Sequence, residues 1–174
     1  AIEAQVFTKI PESFHRRGEI SPWAQVQLHG AETPVFLEAP AFDAQGSLWV
    51  ADIPWGRLFR IAPDGTVQLG GEYDGWPTGM KFLANGRLLI ACHKRGMVIF
   101  DPATGKAEPW FERYQLEPFK GCNDIAVTRD GDLYFTDQGQ SGWQSPTGRL
   151  YRVRKGTGQL ELLLNNLPSP NGLV

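Results

Sequence analysis

The chain alternates between short apolar runs and polar turns centred on glycine. Three segments share one template, a glycine turn followed by an alternating apolar strand: FDAQGSLWVAD (42–52), FLANGRLLIAC (82–92) and VTRDGDLYFTD (127–137). Alternation over a few residues is typical of strands, and no segment shows sustained helical periodicity. The pattern therefore predicts a repeated unit of short strands with almost no helix.

Further strands follow each template. The first are RLFRI (57–61), MVIF (97–100) and RLYRV (149–153), and weaker ones come after, such as TVQL (66–69) and LELLL (160–164). Four short antiparallel strands per repeat of about 40–50 residues indicate a propeller blade. The alternative is a β-sandwich, but a sandwich would not repeat one template in one register. The sequence therefore predicts an all-β fold, an incomplete β-propeller.

The same polar position recurs at the head of the first strand of each repeat. Counting back eight residues from the turn glycines Gly46, Gly86 and Gly131 gives Glu38, Thr78 and Asn123, and Asn171 in SPNGLV heads a fourth such segment. The first strand of each blade lines the central channel, so these positions form a ring. Their oxygens are hard ligands, suited to calcium, magnesium or manganese.

Polar strand heads can also cap strand ends or hold water. For Thr78 we favour this structural role, and for Asn123 the repeat alone leaves both roles open. Glu38 differs because a carboxylate on a channel wall needs a charge partner. No lysine or arginine stands near it in the sequence, which favours a metal ion.

Composition narrows the function classes. A net charge of −2 and a pI near 5.9 argue against nucleic-acid binding, and no apolar stretch is long enough to span a membrane. The amino terminus lacks the long apolar region of a secretion signal. The two cysteines, Cys92 and Cys122, form no disulfide framework, so we expect a cytoplasmic protein. Cys122 should face away from the channel and pack in the core.

Taken together, the motifs LEAPAFD, LWVADIPWGRLFRI, GCNDIAV, DGDLYFTD and SPNGLV resemble those of the SMP-30/gluconolactonase/LRE-like family of six-bladed propeller lactonases. The resemblance begins at about Pro34. It implies that residues 34–174 form blades 1–3 and the first strand of blade 4. Residues 1–33 form a separate segment, which we consider a candidate closing strand for the last blade, with Val6, Phe7 and Trp23 as apolar anchors.

The resemblance also implies a chemistry. Family members hydrolyse lactones, which are carboxylic esters, with a divalent ion that polarises the carbonyl while water attacks. Glu38 and Asn171 match two metal ligands of the family. Asn123 matches an asparagine that orients substrate or water, and in some relatives it also binds the metal. The general-base aspartate is expected outside this chain. Calcium is the favoured ion, with magnesium, manganese or zinc as alternatives.

The substrate position departs from the pattern of some relatives. These carry an arginine that grips a polar sugar lactone, where this chain has Gly121. This substitution argues against gluconolactone itself. We expect Lys120, Trp76 and Thr78 to contact the substrate, although Trp76 fits blade packing equally well.

Three other polar residues stand at or near the ends of the second strands of the repeats. Asp52 and Asp137 follow their turn glycines by six residues and His93 follows by seven, which predicts turn capping for all three.

Two alternative functions remain open: an organophosphate-hydrolysing propeller and a non-catalytic, metal-stabilised binding propeller. Three blades cannot close a six-bladed ring, and an open ring exposes strand edges and an apolar blade face. We therefore expect a second polypeptide fragment to complete the propeller. A dimer of half-rings is the less favoured arrangement, because each half would lack the aspartate.

Overall fold

A computed structural model describes residues 3–174, so residues 1 and 2 of the predicted segment 1–33 lie outside it. The described residues contain three four-stranded antiparallel sheets, each with its strands in sequence order. Blade 1 contains β1 (Leu37–Phe42), β2 (Leu48–Asp52), β3 (Arg57–Ile61) and β4 (Val67–Glu72). Blade 2 contains β5 (Pro77–Phe82), β6 (Leu88–Cys92), β7 (Gly96–Asp101) and β8 (Lys106–Phe111).

Blade 3 follows a short hairpin that the sequence did not predict. The hairpin pairs β9 (Arg113–Tyr114) with β10 (Glu117–Pro118). Blade 3 contains β11 (Cys122–Val127), β12 (Leu133–Asp137), β13 (Gly148–Val153) and β14 (Leu160–Leu167). The all-β class and the three predicted blades are confirmed.

The turn glycines connect the first two strands of each blade. Gly46, Gly86 and Gly131 have φ angles of 80°, 80° and 90°. Because L side chains rarely adopt this left-handed conformation, glycine permits the tight turn at these positions. The spacing of these glycines therefore marks the blades correctly in the sequence.

The three blades stack face to face, and β6 shows how the packing dictates its sequence. Leu88 and Ile90 pack in the core shared with blade 1, whereas Leu89 and Ala91 pack in the core shared with blade 3. Successive side chains of a strand point to opposite faces of its sheet. Since blade 2 has a neighbour on both faces, β6 is a continuous apolar run.

The first strands of the blades lie side by side. β5 contacts β1 on one side and β11 on the other, as expected for strands that surround a common axis. At Gly79 the backbones of β5 and β11 approach closely, because a Cβ there would lie 2.5 Å from the backbone oxygen of Asn123. Only glycine fits this contact without displacing β11.

The amino-terminal segment covers the face of blade 1 that points away from blade 2. Ile10 and Phe14 pack on the buried residues Val50 and Phe59, and the Phe14 and Phe59 rings are 5.1 Å apart. Val6 and Phe7 are mostly exposed. Residues 3–33 contain no strand, so their role as a closing strand stays a prediction.

The segment also contains the short helix α1 (Pro22–Gln27), which the periodicity did not predict. Ser21 caps it, since its hydroxyl accepts a hydrogen bond from the Ala24 N–H at 3.1 Å, and Pro22 occupies a position that tolerates proline. Trp23 is buried and packs against Ile53. Trp23 is thus an apolar anchor on blade 1.

Residues 168–174 form no strand, so the first strand of a fourth blade stays a prediction. Cys92 and Cys122 are both buried and free, and Cys122 packs in the core between blades 2 and 3 as expected. Within residues 3–174, no helix has the length and apolar character needed to cross a membrane.

Candidate functional site

The three predicted strand heads occupy one structural position. The residue before each head pairs with the last residue of the second strand: Leu37 with Asp52, Pro77 with Cys92, and Cys122 with Asp137. Glu38, Thr78 and Asn123 are therefore equivalent, and the eight-residue offset found in the sequence is confirmed.

Each first strand has a β-bulge at this position or directly after it. The pairing register shifts between Glu38 and Ala41, between Pro77 and Gly79, and between Cys122 and Ile125. A bulge takes a residue out of the ladder and re-aims its side chain, and bulges are common beside functional sites. Thr78 and Asn123 therefore leave the ladder, whereas Glu38 is paired directly before its bulge.

The bulge in blade 1 is strained. Ala39, directly after Glu38, has a φ of 54°. A left-handed conformation costs a non-glycine residue about 1–3 kcal/mol, and such strain clusters at functional sites. The strain in blade 1 thus lies beside the carboxylate that the sequence singles out.

Glu38 carries that carboxylate at the blade 1 position. Its backbone pairs with Ala51, and the residue is exposed. None of the ion pairs within residues 3–174 includes Glu38. The acid is therefore available to a cation from outside the described residues.

Thr78, at the blade 2 position, is buried. Its hydroxyl lies 3.1 Å from the carbonyl oxygen of Ala91 and 2.8 Å from that of Cys122. The single hydroxyl proton is therefore shared between two backbone acceptors, and the side chain ties β5 to β11. This contact supports the structural role favoured for Thr78, and its role as a substrate contact stays a prediction.

Asn123, at the blade 3 position, is only 8% exposed. Its Nδ2 donates to Oε1 of Gln138 at 2.7 Å and lies 3.3 Å from Nε2 of His93. Burial lowers the pKa of His93, which favours the neutral ring that can accept at Nε2. The nitrogen side of the Asn123 amide is thus enclosed by protein.

Asn171 lies beside the inner edge of blade 3. Its side chain is exposed, and its backbone oxygen accepts a hydrogen bond from the Thr136 hydroxyl at 2.9 Å. Nearby, the Leu173 N–H donates to Oδ2 of Asp124 at 2.7 Å. The segment with Asn171 is therefore held against β11 and β12, next to the strand that carries Asn123.

Lys120 and Trp76 line different cavities. Lys120 borders a cavity of about 550 Å³ with Glu117 and Arg149, and its Nζ donates to the Thr147 carbonyl at 3.0 Å. Trp76 borders a cavity of about 430 Å³. Neither lining includes Glu38, Asn123 or Asn171. Their proposed contact with one substrate stays a prediction.

Trp76 also packs on the helix. It lies against the buried cluster of Trp23, Ala24 and Ile53. This contact gives Trp76 a packing role against the amino-terminal helix, and its role as a substrate contact stays a prediction.

The capping prediction is confirmed for two residues and wrong for the third. Asp52 Oδ1 accepts from the Phe36 N–H at 2.8 Å, and Asp137 Oδ1 accepts from the N–H groups of Lys120 and Gly121. In blade 2 the equivalent residue is Cys92, whose Sγ accepts a hydrogen bond from the backbone N–H of Trp76 at 3.1 Å. His93 stands one residue further on and contacts Asn123 instead.

Sequence reasoning missed the pair His93 and Gln138 as neighbours of Asn123. The signal was available, because both residues follow their turn glycines, Gly86 and Gly131, by seven residues. The blade 1 counterpart is Ile53, which is buried beneath α1. The seven-residue offset thus marks a second repeated position next to the strand heads.

The candidate ligands fit a hard divalent cation in donor type. Glu38, Asn123 and Asn171 offer carboxylate and amide oxygens, the donors that calcium and magnesium prefer. Within residues 3–174, no three histidine, cysteine, aspartate or glutamate side chains cluster as a metal site. The described residues would therefore supply part of an oxygen-donor site.

Comparison with known proteins identifies the family. The sequence matches the description "SMP-30/Gluconolactonase/LRE-like region" over residues 36–174. The chain belongs to this family. It is 30% identical over 115 residues to strictosidine synthase-like protein 13 of Arabidopsis thaliana, covering 57% of this chain and 27% of the relative.

Two further similarities concern lactonases. The SMP-30/gluconolactonase-family chain is 26% identical over 162 residues to lactonase drp35 of Staphylococcus aureus, covering 88% of this chain and 47% of the relative. The solved structure of the gluconolactonase XC5397 from Xanthomonas campestris matches with a TM-score of 0.65 and 25% identity, covering 75% of this chain and 48% of that one. The chain spans less than half the length of these three proteins.

Proposed function

We propose that this chain forms the first half of a six-bladed lactonase that depends on a divalent metal ion, with calcium the favoured ion. The observation that carries the proposal is the shared strand-head position, which places Glu38 on blade 1 and Asn123 on blade 3, on either side of blade 2, in a gluconolactonase-family fold. Glu38, Asn171 and Asn123 would hold the ion. When bound, the ion polarises the lactone carbonyl and stabilises negative charge on its oxygen.

The residues of this chain have distinct parts in the reaction. Glu38 contributes the negative charge that holds a cation near the axis. When Nε2 of His93 carries no proton, both N–H groups of the Asn123 amide face protein acceptors, so Asn123 acts through its oxygen, which can accept a hydrogen bond from water or bind the ion. Its general-base partner, an aspartate, would come from the part of the ring that this chain does not supply.

Gly121 supports a substrate other than a sugar lactone. It is buried between Gly139 and His93, and a Cβ there would lie 3.4 Å from both. No cation extends from this position to grip hydroxyl groups. We therefore favour lactones that carry fewer hydroxyl groups than gluconolactone.

We also propose that a second polypeptide completes the ring. Val127 and Leu164 of blade 3 and Phe42 of blade 1 are exposed apolar residues, 50%, 45% and 69% exposed. Further blades would cover them. Native mass spectrometry tests this proposal, because a species heavier than the 19.4 kDa chain by a distinct polypeptide is expected. A bare chain would contradict it.

The function is tested with the protein as purified, including any polypeptide that accompanies it. Hydrolysis is measured for panels of lactones and phosphotriesters with calcium and with a chelator. We expect calcium-dependent hydrolysis of lactones, and loss of both calcium binding and turnover in Glu38→Gln. Glu19→Gln, in an exposed amino-terminal position, is the matched control.

Three outcomes would overturn the assignment. Full activity in Glu38→Gln would show that Glu38 is not a ligand of the metal ion. Turnover of phosphotriesters alone replaces the lactonase with an organophosphate hydrolase. Calcium binding without turnover of either panel favours a binding propeller.

A further inference from the structure

The amide nitrogen of Asn123 lies between two acceptors. Oε1 of Gln138 lies 2.7 Å away, and Nε2 of His93, in the turn after β6 of the neighbouring blade, lies 3.3 Å away. A side-chain amide has two N–H donors on its nitrogen and an oxygen that only accepts. The two acceptors therefore occupy both donors when Nε2 of His93 carries no proton.

Gln138 is itself held in one orientation. Its Nε2 donates to the Ser169 hydroxyl at 2.7 Å, which turns Oε1 towards Asn123. The Ser141 hydroxyl donates to the backbone carbonyl of Gln138 at 2.6 Å and accepts from the backbone N–H of Ser169 at 3.0 Å. These bonds hold the Gln138 side chain in place, with its amide oxygen towards Asn123 and its amide nitrogen towards Ser169.

The remaining atom of the Asn123 amide is its oxygen. Within residues 3–174, Oδ1 of Asn123 is not among the fully enclosed polar atoms that lack a partner, and no described donor bonds to it. The oxygen therefore keeps contact with solvent although the residue is 8% exposed. A reversed amide would instead place Oδ1 against the Gln138 oxygen and, when Nε2 of His93 carries no proton, against a second acceptor.

Blade 1 shows why Asn123 in blade 3 needs an orienting pair and Glu38 in blade 1 does not. Its strand head is Glu38, and the residue in the place of His93 and Gln138 is the apolar Ile53. The two oxygens of a carboxylate are equivalent, so either can face a cation. An amide presents either an acceptor or two donors, and only the acceptor suits a cation.

We propose that His93 and Gln138 are positioning residues that fix the Asn123 amide with its oxygen towards the channel. The inference rests on the proposed metal site, because it gives Asn123 a task there. It adds two residues that do not touch the ion or the substrate. Partners that orient metal ligands in this way typically change metal affinity about 10–100-fold when they are replaced.

The first experiment measures calcium binding by calorimetry on the purified protein with any accompanying polypeptide. Gln138→Leu and His93→Phe should each weaken calcium binding about tenfold, while Gln45→Leu, on an exposed turn, leaves it unchanged. In an Asn123→Ala background, Gln138→Leu should have no further effect, since its influence passes through Asn123.

A second measurement needs no metal. Exchange of the Asn123 side-chain amide protons with water is followed by NMR, with Asn123→Ala identifying the signals. We expect slow exchange in the wild-type protein and exchange about tenfold faster in Gln138→Leu, because the 2.7 Å bond is lost.

The outcomes separate this inference from the proposed function. If Glu38→Gln abolishes calcium binding while Gln138→Leu and His93→Phe do not weaken it, the metal site stands and the positioning role is overturned. Additive effects of Gln138→Leu and Asn123→Ala, or unchanged amide exchange in Gln138→Leu, also overturn it. If the wild-type protein binds no calcium, both proposals fail.

Discussion

Blades 1 and 3 carry the same acid–base pair in the same register but use it differently. Asp52 pairs across the strands with Arg57, and Asp137 with Arg149. In blade 1 the pair is a closed ion pair, with Oδ2 of Asp52 2.5 Å from the Arg57 guanidinium. In blade 3, Arg149 instead bonds to the Tyr151 hydroxyl and to Glu117.

Because Arg149 bonds to Tyr151 and Glu117, one buried carboxyl oxygen of Asp137 has no hydrogen-bond partner. Oδ2 of Asp137 is fully enclosed and makes no hydrogen bond within the described residues. Burial raises the pKa of Asp137, against the opposing effect of the N–H groups of Lys120 and Gly121. The same Asp and Arg therefore form an ion pair that stabilises blade 1. In blade 3, the arginine of the pair links the blade to the β9–β10 hairpin instead.

The largest effect is expected from breaking the closed pair. Arg57→Leu leaves the buried Asp52 carboxylate without its cation, and breaking a buried pair from one side costs about 3–5 kcal/mol. The arginine also donates to the Phe14 carbonyl at 2.7 Å, so the amino-terminal segment should loosen. The free energy of unfolding in urea measures the loss.

Arg149→Leu is the matched change in blade 3. It removes no hydrogen bond from Asp137, so a smaller loss of stability is expected than for Arg57→Leu. Equal losses of stability in Arg57→Leu and Arg149→Leu would contradict the difference between the Asp52–Arg57 and Asp137–Arg149 pairs.

A second comparison exchanges each acid for its amide. Asp137→Asn keeps the oxygen that accepts from Lys120 and Gly121 and removes a buried charge, so stability at pH 7 should be equal or higher. Asp52→Asn removes the charge that Arg57 needs and should cost about 1–3 kcal/mol. Thermal unfolding of both variants at pH 7 measures the difference.

The pH dependence has a definite sign. Because the folded-state pKa of Asp137 is raised, the folded protein takes up this proton before the unfolded chain does. The contribution of Asp137 is fully present below the unfolded pKa, near 3.9, and is lost as pH rises through the folded pKa. Wild-type stability relative to Asp137→Asn should therefore increase on acidification from pH 7 to about 4. A flat difference would contradict the raised pKa.

The smallest effect is expected at the hairpin. Glu117 is exposed and its pKa is lowered by the hydrogen bond from Arg149. Glu117→Gln weakens this contact without burying an unpaired group, so stability should hardly change. Salt screens the contact between Glu117 and Arg149. Chemical shifts of the β9–β10 hairpin should therefore differ between the variant and the wild-type protein at low salt. Adding salt should shift these signals in the wild-type protein and leave them unchanged in the variant.

The sequence predicted the blades because glycine spacing and strand alternation are local signals. Gly46, Gly86 and Gly131 mark each turn, and the eight-residue offset places Glu38, Thr78 and Asn123 correctly. Helix α1 was missed because its six residues are too few to show a helical period, although Ser21 and Pro22 signal its start.

Other features depend on contacts between blades, which the sequence does not show. His93 meets Asn123 only because blades 2 and 3 stack, so its position was confused with that of the capping residues. The sequence shows the same Asp and Arg in blades 1 and 3, but the hairpin that draws Arg149 away is a tertiary feature. Local pattern therefore placed the strand heads, and packing determined their partners.

The repeated bulge has a consequence for how such a protein can diversify. The strand heads lie at or beside bulges, and Glu38 is exposed and makes no ion pair within the described residues, so exchanging Glu38 alters the chemistry of its position with little demand on folding. Glutamate, threonine and asparagine already occupy this position in three successive blades. A single substitution at Glu38 can therefore change the chemistry offered at this position, while Gly46, Gly86 and Gly131 keep the three blades recognisable in the sequence.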